Sequence, residues 1–262
     1  MVRRLLLYGM LVGLAAGLLA FVVAKTIGEP QVDKAIAFEG LVAQPHHDAE
    51  EAELVSRTVQ NTVGLGAGVI VFGVALGGIF ALVFALAYGR LGALTARGTA
   101  AALGLMGFVA VYLVPILKYP ATPPAVGNPD TIGRRTALYL SMIVISLAAA
   151  ALAVIVRKRL RDRIGDWYAT IAVAGGYLVI VAIAYIVLPG VNDVPQVLLA
   201  GVTNAVGDSG VTFPPVVLWR FRIASLAVQA ITWTTLAIGF GFLATRVLER
   251  DSQQARDAVA VG

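Results

Sequence analysis

Apolar residues gather along the chain into six blocks long enough to cross a bilayer: about Leu5–Ala24, Val63–Tyr88, Thr99–Leu117, Ala137–Val156, Tyr168–Leu188 and Ile223–Thr245. A spanning helix needs about 20 apolar residues to cross roughly 30 Å of hydrocarbon. None of the six blocks carries Asp, Glu, Lys, Arg or His in its interior. The pattern predicts an all-α integral membrane protein, a bundle of six transmembrane helices forming one domain over residues 1–262. Long outer loops are expected at about 25–62, 118–136 and 189–222, against inner connections of about ten residues. The first block follows Arg3-Arg4 and ends in Val22-x-Ala24, which imitates a cleaved leader. Its apolar run is long for one, so it reads as an uncleaved anchor.

Composition supports this reading. Hydrophobic residues make up 59% of the chain and charged ones 13%, where a soluble domain carries roughly 25% charged. Disorder requires the opposite balance. The absence of cysteine excludes disulfides, thiolate metal sites and cysteine nucleophiles. The net charge of +5 does not point to nucleic acid, because the basic residues bracket the apolar blocks. With the N-terminus inside, twelve Lys and Arg fall on the cytoplasmic side and eight outside, while acids divide five to ten. The cluster RKRLRDR over 157–163 weighs most, as a tight connection between two spans. The expected location is the bacterial plasma membrane, multi-pass, with both termini cytoplasmic.

Small residues mark helix contacts. Gly9, Gly13 and Gly17 share one face of the first span, and Gly64/Gly68 and Gly73/Gly77 repeat the spacing in the second. Such residues let helix backbones approach closely where lipid removes the hydrophobic drive. In the sixth span, Gln229, Thr232, Thr234 and Thr235 form a polar group at membrane depth, expected to hydrogen-bond between helices.

Candidate chemistry lies in the outer loops. Asp48-x-x-Glu51 has the form of a capping box behind Pro45. A helix opening there would run unbroken into the second span, projecting about 20 Å at 1.5 Å per residue. His46, His47, Asp48, Glu50 and Glu51, with Glu53 beside them, bring imidazole and carboxylate together, a ligand set suited to Co, Ni or Zn. A solvated acidic helix start is the plainer reading of the same residues. The second loop places Pro120, Pro123, Pro124 and Pro129 within ten residues, so it is stiff and extended. Asp130 or Thr131 is then placed to cap the fourth span. Arg134 and Arg135 follow in its first turn, and Arg220 and Arg222 open the sixth span. Cations are disfavoured at a helix start, so an acidic partner, lipid phosphate or bound anion is expected to offset them.

Two further patterns stand out. Tyr112–Pro115 reads YLVP and Tyr185–Pro189 reads YIVLP, each followed by prolines and paired arginines, as in an internal repeat of two hairpins. The stretch VPILKYPATPPAVGNPDTIGRRTALYL over 114–140, the RRLLL anchor and the His-containing loop together resemble the CbtA family of predicted cobalt transporter subunits, of the actinobacterial type. The likeness covers most of the chain. It implies a non-enzymatic subunit handling Co²⁺ as transported ion rather than as cofactor. Its partners are the bilayer and a small single-span, His-rich CbtB-like protein, and His46 and His47 match the family's His-containing loop. The alternative reading is a non-transporting accessory or structural subunit of a larger membrane complex, which the lack of ionisable residues in the spans also fits. No Ser/His/Asp set, phosphate-binding loop or intramembrane carboxylate pair points to an enzyme.

Overall fold

The computed structural model describes residues 2–43, 55–124, 131–191, 196–197 and 211–260. The chain is built from α1 (Val2–Val23), α2 (Glu29–Ala43), α3 (Arg57–Val59), α4 (Leu65–Ala87), α5 (Ala96–Gly107), α6 (Val114–Lys118), α7 (Ile132–Ile164), α8 (Asp166–Val187), α9 (Pro215–Thr235) and α10 (Gly241–Ala260). Among the described residues six helices are long and apolar enough to cross a membrane: Val2–Glu39, Arg57–Ala87, Ala96–Lys118, Ile132–Ile164, Asp166–Val187 and Pro215–Glu249. The all-α class and the six apolar helices expected from the sequence are observed. One antiparallel pair, β1 (Gln196–Val197) with β2 (Val211–Thr212), is the strand structure seen among the described residues.

Wider π turns at Ala24–Gly28, Gln60–Gly64, Phe108–Leu113 and Leu236–Phe240 join successive helices without a break. Two of them precede a proline, Pro30 and Pro115. Proline has no N–H and its ring collides with the preceding turn, and a widened turn accommodates both. The helix therefore continues through a residue that would otherwise end it.

That continuity corrects several loop boundaries. Where the sequence suggests a loop from about residue 25, the chain is helical through α2, and Glu29 is buried on it. The helix entering the second span begins at Arg57 rather than near Asp48, because the chain bends at Val55 and is non-helical at Ser56. Its projection beyond Val63 is six residues, not fifteen. Thr131 stands at the start of α7 but its side chain makes no capping bond there, and Asp130 lies outside the described residues. The RKRLRDR cluster is not a connection; it forms the last two turns of α7, and Gly165 alone, at φ +81°, turns the chain into α8. Arg157 donates to both carboxylate oxygens of Asp166, at 2.9 and 3.0 Å, across that turn. The sixth span opens at Pro215, eight residues earlier than expected.

The chain forms two compact units, residues 1–23, 57–109 and 227–262 in the first and 24–56 and 110–226 in the second. In the first unit, α1 and α4 meet through glycine. A Cβ on Gly73 would lie 2.6 Å from the Gly13 carbonyl oxygen, and one on Gly17 would lie 2.8 Å from the Ile70 Cα. Cβ atoms on Gly9, Gly13 and Gly77 would strike backbone oxygens of the facing helix. Gly64 and Gly68 take no part, since their face is turned from α1. Further along, Gly107 leaves room for the Trp233 ring, and Phe240 packs edge-on against Phe80 and Phe84 at 5.5 and 5.0 Å between centroids. Thr232 does not bond between helices as expected; its hydroxyl donates to the Val228 carbonyl one turn back, at 2.8 Å.

In the second unit, α2 is held to the start of α9 by Ala35, Phe213 and Leu218, with Phe38 edge-on to Phe213 at 5.3 Å. The Ser146 and Tyr177 hydroxyls join α7 to α8 at 2.7 Å.

Gly77→Val should destabilise the fold by about 1–3 kcal/mol, the usual cost of overpacking, because backbone rather than a movable side chain stands in the way. Gly68→Ala, with nothing within 4 Å of its Cβ, should be neutral or stabilising by up to about 1 kcal/mol through helix propensity. Thermal midpoints of the two variants in the same detergent check the contrast.

Candidate functional site

Polar side chains of the second unit converge where α6 and α8 end and α7 and α9 begin. The two tyrosine–proline motifs seen in the sequence meet there. Pro189 follows α8 and has no N–H, so the Tyr185 carbonyl lacks the donor that the next helical turn would supply. Lys118, at the end of α6, supplies it: its ammonium donates to the Tyr185 oxygen at 2.5 Å. The same ammonium lies 5.8 Å from the Tyr119 ring centroid and 6.0 Å from that of Tyr185, within cation–π range. Tyr119 donates its hydroxyl to the Pro189 carbonyl at 2.9 Å. In return Tyr185 donates to the Val114 carbonyl. Below these contacts the Tyr112 hydroxyl donates to Ser225 of α9 at 2.9 Å.

The arginines lie in the same region. Arg222 donates through Nε to the Ala121 carbonyl at 3.2 Å, and Arg135 through Nη1 to the Thr122 hydroxyl at 3.4 Å. Two guanidinium groups from different helices therefore reach adjacent residues of the proline-rich segment. Among the described residues the buried Arg135 Nε has no hydrogen-bond partner. Burial pushes the Tyr119 hydroxyl above the ordinary phenol range, and the charge of Arg134 pulls it partly back.

His46, His47, Asp48, Glu50, Glu51 and Glu53 lie outside the described residues. Among the described residues no group of three or more His, Asp or Glu stands together as a metal site. The geometry adds a set of residues that sequence reasoning did not single out as interacting: Tyr112, Lys118, Tyr119, Tyr185 and Ser225. The signal that pointed toward them was the likeness of YLVP to YIVLP, read as a repeat. The structure shows in addition that the ends of these two motifs bond to each other. The expected offset for the arginines is, within the described residues, a carbonyl and a hydroxyl rather than a carboxylate.

Replacing Tyr185 by Phe removes one buried hydroxyl donor and should cost about 0.5–1.5 kcal/mol. Tyr119→Phe should cost a similar amount, and the double variant less than the sum, since both bonds hold the same two helix ends. A double-mutant cycle on denaturant midpoints measures it.

No curated protein and no solved structure matches the chain. The family model described as "Probable cobalt transporter subunit (CbtA)" matches residues 2–245, nearly the whole length. With six membrane-length apolar helices and that match, the chain belongs to the CbtA family of probable cobalt transporter subunits.

Proposed function

We propose that this chain is the multi-pass plasma-membrane subunit through which Co²⁺ enters, with both termini cytoplasmic and the metal approached from the outer loops. The observation that carries the reading is the family match over 2–245. The metal's first contact is assigned to His46, His47, Asp48, Glu50 and Glu51. His46 and His47 are the two histidines of the whole chain, and carboxylates follow them directly. Two imidazoles with one or two carboxylates make a weak, exchangeable site, which suits capture and release better than storage. The six apolar blocks contain no carboxylate in their interiors, where ion-coupled carriers usually place the groups that hold the coupling ion. Energy and onward transfer are therefore assigned to partners: a small single-span, His-rich CbtB-like subunit or a larger membrane complex. The same absence favours a second reading, an accessory subunit that moves no ion itself.

His46→Ala/His47→Ala should lower Co²⁺ uptake several-fold in cells that also express the small partner. In the parent, uptake should fall as pH drops through about 6.5, because protonated imidazole cannot ligate. Radioactive cobalt accumulation at a series of pH values measures both. Undiminished uptake by the double variant would remove the capture role, and no uptake by either protein would favour the accessory subunit.

A further inference from the structure

At the end of the second unit where α7 and α9 begin, positive charge accumulates without a carboxylate to meet it among the described residues. Arg134 and Arg135 stand in the first turn of α7, Arg220 and Arg222 in the second turn of α9. Each helix start adds partial positive charge of its own, roughly half a unit. Among the described residues no carboxylate pairs with any of the four arginines. Arg222 and Arg135 reach neighbouring residues, Ala121 and Thr122. The Arg135 Nε is buried and, among the described residues, has no acceptor. Guanidinium groups so arranged suit a multivalent oxyanion, and phosphate is the group that accepts several such donors at once.

Where that phosphate comes from is indicated by the surrounding surface. Val216, Trp219, Ile223 and Leu226 form an exposed apolar stripe on α9 at helical spacing, with Trp219 62% exposed. On α7, Ile132, Leu140 and Val144 are exposed likewise. Tryptophan beside arginine at the end of a spanning helix marks the headgroup level of a bilayer. From these observations we infer that Arg134, Arg135 and Arg222 bind the phosphate of an anionic phospholipid headgroup, its acyl chains lying along the exposed stripe of α9. The bound lipid supplies the negative charge that the two helix starts lack and holds α7, α9 and the proline-rich segment together.

Native mass spectrometry of the full chain in neutral detergent, supplied in turn with phosphatidylglycerol, phosphatidylcholine and inorganic phosphate, tests this. The parent should retain one phosphatidylglycerol more than Arg135→Gln/Arg222→Gln, whose affinity for that lipid should be about tenfold weaker or worse. Arg134→Gln, at an exposed side chain, keeps the test valid if the double variant fails to fold; it should weaken retention several-fold. Arg135→Lys retains the charge but not the fork, and should fall between parent and double variant. Phosphatidylcholine should be held more weakly, and millimolar phosphate should not displace the lipid. Displacement by phosphate at comparable affinity would overturn the lipid in favour of a free phosphate site. Equal lipid retention by the parent and every folded variant would overturn the site itself.

Discussion

In hydrocarbon a helix gains almost nothing by hiding apolar side chains from lipid, so association must come from close contact between backbones and from a few buried polar bonds. The meeting of α1 and α4 follows from that constraint. Glycines at positions 9, 13 and 17 lie against Gly73, Gly77 and the Ile70 backbone so tightly that a single methyl group on most of them would collide with a carbonyl. The remainder of the first unit is arranged on the same terms, with Gly104 and Gly107 accommodating Ala237 and Trp233. Leucine in these places would leave the helices just as apolar and hold them too far apart.

The second unit meets the same constraint differently. Its contacts at the proline-rich end are polar and depend on proline chemistry. Pro189 withholds a donor from the last turn of α8, and the freed carbonyl takes the Lys118 ammonium. Lys118, at the end of its apolar helix, finds a carbonyl and two aromatic faces. Tyr119, Tyr185 and Tyr112 then each give their hydroxyl to a different partner: the carbonyl of Pro189, a carbonyl of α6 and the Ser225 hydroxyl, in that order. Each of these bonds is worth about 0.5–1.5 kcal/mol.

For cobalt handling, family membership and metal ligation stand on different ground. Membership rests on nearly the full chain, whereas the proposed metal ligands rest on chemistry readable in the sequence, two adjacent imidazoles followed by carboxylates. The geometry contributes a cationic end in the second unit. A bare divalent cation would be repelled by Lys118, Arg134, Arg135 and Arg222 unless an anion screens them. A lipid phosphate there would screen that charge.

Hydrophobic blocks, glycine spacing and charge placement determined the membrane class, the six helices and the Gly9–Gly13–Gly17 face, because each is a local property of consecutive residues. Helix ends were less legible. The loop expected from about residue 25 is helical, a π turn carrying the chain past Pro30, and RKRLRDR reads as a connection although its charges lie well on a helix end. Which glycines matter was decided by tertiary structure: Gly68 has the same spacing as Gly73 and Gly77 but faces no backbone. So too was the pairing of Tyr185 with Val114, 71 residues apart. Spacing along one helix specifies which residues share a face, but only the docking of a second helix decides whether that face meets a backbone, a hydroxyl or lipid.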